Sequence, residues 1–391
     1  MTEHERFESS DGKAPALRAE PYTLVVGLGA SGLAAAEYLR RRGETVVVID
    51  SRAEPPGLRE LRTACPDVDV ALATLDPSWL DRAVRVVLSP GLAIDLPIVV
   101  EAERRRIPVV GELELFAEAA SRPVVAVTGS NGKSTVTSLT AHLLTAQGFD
   151  APAGGNLGPA ALRLLERPEP PDAYVIEVSS FQLETTHSLT PHAAALLNVS
   201  PDHIDRHRSL ERYASLKASL IDAAEYAVVN ADDPIVRAHA ARHRHAISFS
   251  VSDPGADWSV VERGGERWLA CSGEPLIPSA ALGLTGVIGE ANSLASLALA
   301  QSLGGDIAHA LEALPKFAGL PHRCRSVGER RGVVFVDDSK GTNVGATVAA
   351  ISGAPAPVVL IAGGQGKGAD FTPLVAAAEG RVRAVVLIGE A

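Results

Sequence analysis

The sequence predicts an α/β protein built from three consecutive domains with mainly parallel sheets. Three observations lead there. Short β-rich runs alternate with helical runs along the whole chain, the pattern of βαβ units with right-handed crossovers. Two strand-to-helix junctions are glycine-rich turns, "GLGASG" and "TGSNGKST". The length of 391 residues suits two or three domains. Hydrophobic residues make up 46 % and aromatic residues only 4 %, so the cores must be built from Ala, Val and Leu.

Residues 1–20 open with "MTEHERFESSDGKAPALR", polar and charged. They lack the apolar stretch of a signal peptide and read as a disordered arm. The first domain is expected over residues 21–111. Its stretch "VVGLGASGLAAAEYLRRRGETVVVID", from Val25 to Asp50, reads as strand, tight turn, helix and second strand. Gly27, Gly29 and Gly32 give G-x-G-x-x-G, and Asp50 ends the second strand 18 residues after Gly32. That is the spacing of a Rossmann-like dinucleotide fold. On these residues alone, an NAD-dependent oxidoreductase stays open. "RVVLSPGL" and "IPVVGE" add two more short strands ended by turn residues.

The central domain is expected over residues 112–318. It begins with a strand that runs into Gly129, Ser130, Asn131, Gly132, Lys133, Ser134 and Thr135, then a helix rich in Ala and Leu. Such a turn points free backbone N–H groups at a phosphate, and the helix dipole favours the negative charge. Lys133 adds a mobile cation, and Ser134 or Thr135 offers a hydroxyl to Mg²⁺. The usual loop is G-x-x-x-x-G-K-[ST]; Val127 stands where its first glycine would be, so this is a shorter P-loop. Further strands are "AYVIEVSS", "AAALLNVS", "YAVVNADD" and "AISFSV"; "WSVVERGGERWLAC" reads as a hairpin turned at Gly264 and Gly265, and the helix "ANSLASLALAQSL" follows.

A P-loop needs metal ligands at neighbouring strand ends. Glu177 sits near the end of the apolar "YVIEVSS", where an acid is costly to bury unless paired or coordinating. His203 and Asp205 lie in "NVSPDHIDRH", read as a polar loop after another apolar strand, where α/β sheets bind ligands. Lys217 in "ERYASLKASLIDAA" is four residues from both Tyr213 and Ile221, beside an apolar stripe. A snorkelling lysine is the plain explanation; a functional amine is the alternative.

The third domain, residues 319–391, holds "GLPHRC", "GVVFVDDSKGTNVGATVAAI", "PVVLIAGGQGKG" and "RAVVLIGEA". It is short for an α/β domain, so the expectation is either a reduced domain or an incomplete sequence. The net charge of −11, with no lysine-rich run, argues against nonspecific nucleic-acid binding. Three cysteines, Cys65, Cys271 and Cys324, are far apart and show no metal spacing, which suits reduced thiols in the cytoplasm. No apolar run approaches the roughly 20 residues that span a bilayer.

The motifs "GLGASG", "SPG", "GELELF", "TGSNGKST", "GGNLG", "EVSSFQLE", "NVSPDHIDRH", "VVNADD", "GLPHRC" and "DDSKGTN" together resemble the Mur ligase family, in family order and over nearly the whole chain. The resemblance implies a Rossmann-like first domain that holds a UDP-linked substrate, not NAD, a central P-loop ATPase domain, and a partial Rossmann-like last domain. It implies a cytoplasmic, monomeric enzyme of peptidoglycan synthesis that uses ATP and Mg²⁺, with no nucleic-acid or membrane partner. "SSFQLE" and "GLPHR" favour the members that join D-glutamate to UDP-N-acetylmuramoyl-L-alanine through an acyl phosphate. Domain closure would keep water from that intermediate.

By the same resemblance, Ala30, Ser31, Asp50, Ser51, Arg52, Ser89, Gly91 and Asn156 contact the UDP substrate. Ser134 and Glu177 ligate the Mg²⁺ that comes with ATP. His203 ligates a second Mg²⁺, which a carbamylated Lys217 supports. Asn292, Arg323 and Asp338 join the P-loop in holding ATP. Lys340, Thr342 and Lys367 hold D-glutamate or phosphate. Two departures stand out. The family's His-Asn-x-x-Asn is reduced to Asn292, with Ala291 and Ala295 in the other places, so adenine recognition is expected to be looser or shifted. The family's D-glutamate pocket also draws on residues beyond the point matching Ala391. The L-alanine-adding relative, a folylpolyglutamate synthase and a nonligating nucleotide-binding remnant remain alternatives at this point.

Overall fold

The computed structural model describes residues 20–241, 243–354, 357–366 and 369–389. Lys367 and most of the expected N-terminal arm lie outside the described residues. The chain divides into two compact units. The first holds the residues up to Ser121 together with 154–170 and 179–189; the second holds 122–153, 171–178 and the chain from Thr190 onward.

The first unit is built on β1 (Tyr22–Val26), β2 (Val46–Ile49), β3 (Asp69–Ala71), β4 (Ala83–Leu88) and β5 (Val109–Val110). They form one sheet in the order β3-β2-β1-β4-β5, with every neighbour parallel. The runs "YTLVV" and "VVVI" are wholly buried, as a parallel sheet covered on both faces requires. The helix Ala30–Arg41 returns over it, burying Leu33, Leu39 and a run of alanines. The strand order reverses between β1 and β4, which opens a ligand crevice at their carboxyl ends. The two glycine-bearing turns of this domain, after β1 and after β4, both fall there.

The second sheet takes β6 (Val124–Thr128), β7 (Ala153–Gly155), β8 (Tyr174–Glu177), β9 (Ala193–Leu196), β10 (Tyr226–Asn230), β11 (Ala246–Ser250), β12 (Trp258–Arg263), β13 (Glu266–Cys271) and β14 (Glu274–Pro278). The sheet order is β14-β13-β12-β11-β10-β9-β6-β8-β7. From β12 to β8 the neighbours are parallel; β12-β13-β14 is an antiparallel extension. β6 lies between β8 and β9, so the loops after all three converge at one edge of the sheet. The helix Lys133–Ala146 and the alanine-rich helix Gly286–Gln301 pack together over it around Val136, Leu139, Leu143, Leu294 and Leu297. The expected β12–β13 hairpin is present, and its turn uses Gly264 (φ 64°) and Gly265 (φ 82°), both in the left-handed region that such a two-residue turn demands.

Two small sheets follow. β15 (Arg325–Arg330) and β16 (Val333–Asp337) form an antiparallel hairpin, while β17 (Val358–Gly364) and β18 (Val382–Gly389) pair in parallel. The expected alternation of strand and helix starts only at β16; β15 is an added partner. Val336, Ile361 and Leu387 on these strands are 59 %, 67 % and 70 % exposed, so these sheets lack the two-sided cover of the other two. No helix among the described residues is long and apolar enough to cross a membrane.

Candidate active site

The P-loop follows β6. Gly129 (φ 152°) and Gly132 (φ 87°) turn the chain into the helix Lys133–Ala146. A Cβ on Gly132 would sit 2.9 Å from Asn292 Oδ1, so both the conformation and the space require glycine. Asn292 therefore stands against the loop. Ala295 is fully buried in the core, which removes that position from any ligand surface.

The loop is held from behind by its neighbours. Ser130 N–H donates to Asn198 O (2.9 Å), and the Asn198 amide clasps Asn131: Asn131 N–H donates to Asn198 Oδ1 (2.8 Å) and Asn198 Nδ2 donates to Asn131 O (3.0 Å). The Asn131 side chain forms a reciprocal amide pair with Asn343, which also donates to Asp202 Oδ2 (3.1 Å). Ser130 Oγ donates to Ser200 O (3.0 Å), accepts from Ser200 N–H (2.9 Å) and lies 3.1 Å from the Tyr213 hydroxyl.

Two lysines converge on one carbonyl. Lys133 Nζ donates to Gly129 O (2.8 Å) and Ser130 O (2.9 Å), and Lys217 Nζ donates to the same Gly129 O (2.8 Å). Lys217 is 1 % exposed, so it does not snorkel. Its helix, Leu210–Asp222, places it over the Tyr213 ring, 4.6 Å from the centroid. Burial drives its pKa well below 10.5, and the neighbouring Lys133 charge lowers it further, against the pull of Asp202 and Glu177. Burial also lowers Lys133, opposed by Glu177.

Glu177 ends β8 and is 2 % exposed. His203 follows β9 in the left-handed region (φ 53°), its Nε2 3.7 Å from Asp202 Oδ1. The segment read as a polar loop contains the short helix Ile204–His207, and His207 is fully buried. Arg323 reaches the loop as well: its Nη2 donates to Ser134 Oγ (2.8 Å). Asp338 Oδ1 accepts from Cys324 N–H (3.0 Å), and Lys340 and Thr342 are exposed beside it in sequence. Sequence reasoning did not single out Asn198, Asp202, Tyr213 and Asn343 as site residues. All four lie within stretches it quoted, but polar side chains that serve a loop from behind carry no spacing of their own.

In the first unit, a Cβ on Gly32 would lie 1.9 Å from Gly27 O, so the third glycine exists for the helix to touch the turn. Ser89 Oγ, from the turn after β4, donates to Gly27 O (2.8 Å). Asp50 is the decisive residue. Its Oδ2 accepts from Leu28 N–H (2.6 Å) and Arg52 Nη2 (2.7 Å), and its Oδ1 from Arg52 N–H and Nε (both 2.8 Å). Burial alone would raise its pKa; the Arg52 guanidinium and the two amides outweigh that and hold it below the ordinary value. In a dinucleotide site this acid would take a ribose hydroxyl; here it locks the glycine turn to Arg52. Ala30, Ser51, Arg52, Gly91 and Asn156 are exposed, and Ser31 and Ser89 half-buried.

The family model of the Mur ligase middle domain matches residues 127–300 and that of the MurD-like N-terminal domain residues 22–111. A UDP-N-acetylmuramoylalanine–D-glutamate ligase of Nitrosococcus oceani is 47 % identical over 371 residues, covering 94 % of this chain and 82 % of the relative. The enzyme of the same name from Legionella pneumophila is 41 % identical over 374 residues, covering 94 % and 84 %. Among solved structures, the UDP-N-acetylmuramate–alanine ligase of Thermotoga maritima aligns with a TM-score of 0.59 at 21 % identity, over 94 % of this chain and 84 % of that one, a likeness of fold. With both family domains matched in order and relatives this similar over nearly all its length, the chain belongs to the Mur ligase family, among the UDP-N-acetylmuramoylalanine–D-glutamate ligases.

Proposed function

We infer that the chain is an ATP-dependent ligase that joins D-glutamate to UDP-N-acetylmuramoyl-L-alanine in peptidoglycan synthesis. The observation that carries this reading is the constellation at the carboxyl ends of β6, β8 and β9, where Lys133, Glu177 and Lys217 gather about a glycine loop that opens a helix. A substrate carboxylate oxygen attacks the γ-phosphorus of ATP, and ADP leaves. The D-glutamate amine then attacks the acyl carbon, loses a proton, and phosphate departs with one of the carboxylate oxygens.

Gly129 to Thr135 hold the ATP phosphates, with Asn292, Arg323 and Asp338 completing the nucleotide site. Lys133 turns from the Gly129 and Ser130 carbonyls to the phosphoryl oxygens whose charge it offsets. Ser134 and Glu177 offer two hard oxygens, a set that would hold Mg²⁺; Ser134 would do so by giving up the bond it accepts from Arg323. When bound, Mg²⁺ neutralises charge on the phosphates. His203 and Lys217 fit a second Mg²⁺ only if Lys217 changes character, since an amine that donates to Gly129 O is no anionic ligand. Its burial favours the neutral amine, which attacks CO₂, forms a carbamate and releases a proton.

Ala30, Ser31, Ser51, Arg52, Ser89, Gly91 and Asn156 contact the UDP substrate, with Asp50 acting through the turn it fixes. Lys340, Thr342 and Lys367 take D-glutamate or the departing phosphate. The domains are taken to divide at residues 111 and 318; the first boundary is supported by the end of the N-terminal family model at residue 111. The protein is taken to act as a monomer in the cytoplasm, where ATP and UDP-linked precursors are found.

Phosphate release tests the reading. It is expected only when ATP, UDP-N-acetylmuramoyl-L-alanine and D-glutamate are all present, and Lys133→Ala should lower it at least about 100-fold. Release without D-glutamate, or from the Lys133→Ala protein at near the parent rate, overturns it.

A further inference from the structure

Tyr213 is 2 % exposed and touches the two groups on which the site depends. Its hydroxyl lies 3.1 Å from Ser130 Oγ in the P-loop. Its ring underlies the Lys217 amine at 4.6 Å. The His207 ring packs against the Tyr213 ring, centroids 5.3 Å apart, which ties the tyrosine to the segment that carries His203. Tyr213 and Lys217 are one helical turn apart on Leu210–Asp222, so moving one moves the other. Ser130 cannot shift freely either: Ser200 grips the same hydroxyl through both its N–H and its carbonyl.

We propose that Tyr213 is a positioning residue whose hydroxyl fixes the nucleotide loop at Ser130 and whose ring seats the Lys217 amine. The proposal rests on the ligase reading above. The two jobs belong to different parts of one side chain and are separable. A lost hydroxyl leaves the Ser130 side chain held by Ser200 alone and so loosens the loop that binds phosphate. A lost ring opens a space beneath Lys217 and frees the amine from its place beside Gly129 O, where its reaction with CO₂ is set up.

The experiment compares Tyr213→Phe and Tyr213→Leu with the parent protein by calorimetric titration of ADP with Mg²⁺, by the split between KM for ATP and kcat, and by ¹³C NMR after equilibration with ¹³C-bicarbonate, which reports a lysine carbamate. Tyr213→Phe is expected to weaken ADP binding about 3–10-fold and raise KM for ATP, with kcat and the carbamate signal kept. Tyr213→Leu is expected to lose the carbamate signal and most of kcat. Unchanged ADP affinity in Tyr213→Phe overturns the proposal, and so does a retained carbamate with full kcat in Tyr213→Leu; the phenylalanine variant preserves the packing and decides the matter even where the leucine variant does not fold. A parent protein that neither binds ADP nor ligates instead overturns the ligase reading itself.

Discussion

Two buried ionisable side chains show how this chain tunes single residues. Lys217 was legible in the sequence as an oddity, because a lysine four residues from both Tyr213 and Ile221 sits on the wrong side of its helix; what it does there was not, since its partner is a backbone carbonyl. Glu112 left no such trace. It is 3 % exposed; its Oε1 accepts from Leu162 N–H (2.7 Å), while Oε2 is buried without a partner. Burial pushes its pKa from 4.5 up to about 7, although the Leu162 and Ala161 amides pull the other way. Between those two values the folded protein holds a proton that the unfolded chain has released. The stability this contributes is full below pH 4.5 and is lost as the pH rises through about 7. Glu112→Gln keeps the acceptor and removes the titration. It is expected to be more stable than the parent by about 1–3 kcal/mol at pH 8 and by little at pH 4.5. Denaturant unfolding at the two pH values measures this; a difference that does not change with pH contradicts it.

At the scale of elements, the glycine turn after β1 makes a sharper statement than its motif. The three glycines are not equivalent. Gly32 has a backbone oxygen where its Cβ would be, at 1.9 Å, whereas a Cβ on Gly29 would meet nothing within 4 Å. Gly32→Ala must therefore push the helix Ala30–Arg41 off the turn and is expected to cost more than about 2 kcal/mol, while Gly29→Ala costs under about 1 kcal/mol. Thermal unfolding of the two variants checks this, and equal costs would remove the close-approach argument. The same turn shows where sequence reasoning succeeds. Alternating strand and helix runs, both glycine loops and the Gly264–Gly265 hairpin were all readable, because each carries a strong local signal. β3, β7, β14 and β15 were not, since short edge strands such as Asp69–Ala71 and Glu274–Pro278 take their conformation from a neighbour and not from a run of Val and Ile. The motif could not show that Asp50 would be saturated by Leu28 and Arg52, which is the physical ground for setting the oxidoreductase reading aside.

For the whole molecule, the segments 154–170 and 179–189 belong to the first unit although the surrounding chain builds the second. Sequence order suggested contiguous domains because nothing local marks an excursion; "GGNLG" and "SSFQLE" entered only as family motifs. The proposed roles still separate by unit. Arg52 lies in the first and Lys133 in the second. Arg52→Ala is expected to raise KM for the UDP substrate about tenfold and leave KM for ATP unchanged, and steady-state kinetics with each substrate varied in turn measures the split. An increase in KM for ATP alone would reassign the first unit.

The central claim is that the substrate's carboxylate is activated by direct transfer of a phosphoryl group from ATP. Its most direct test is to supply UDP-N-acetylmuramoyl-L-alanine with ¹⁸O in that carboxylate, let ligation run, and weigh the released phosphate. One ¹⁸O atom in each phosphate is the result this account predicts; phosphate that carries no label from the carboxylate would contradict it.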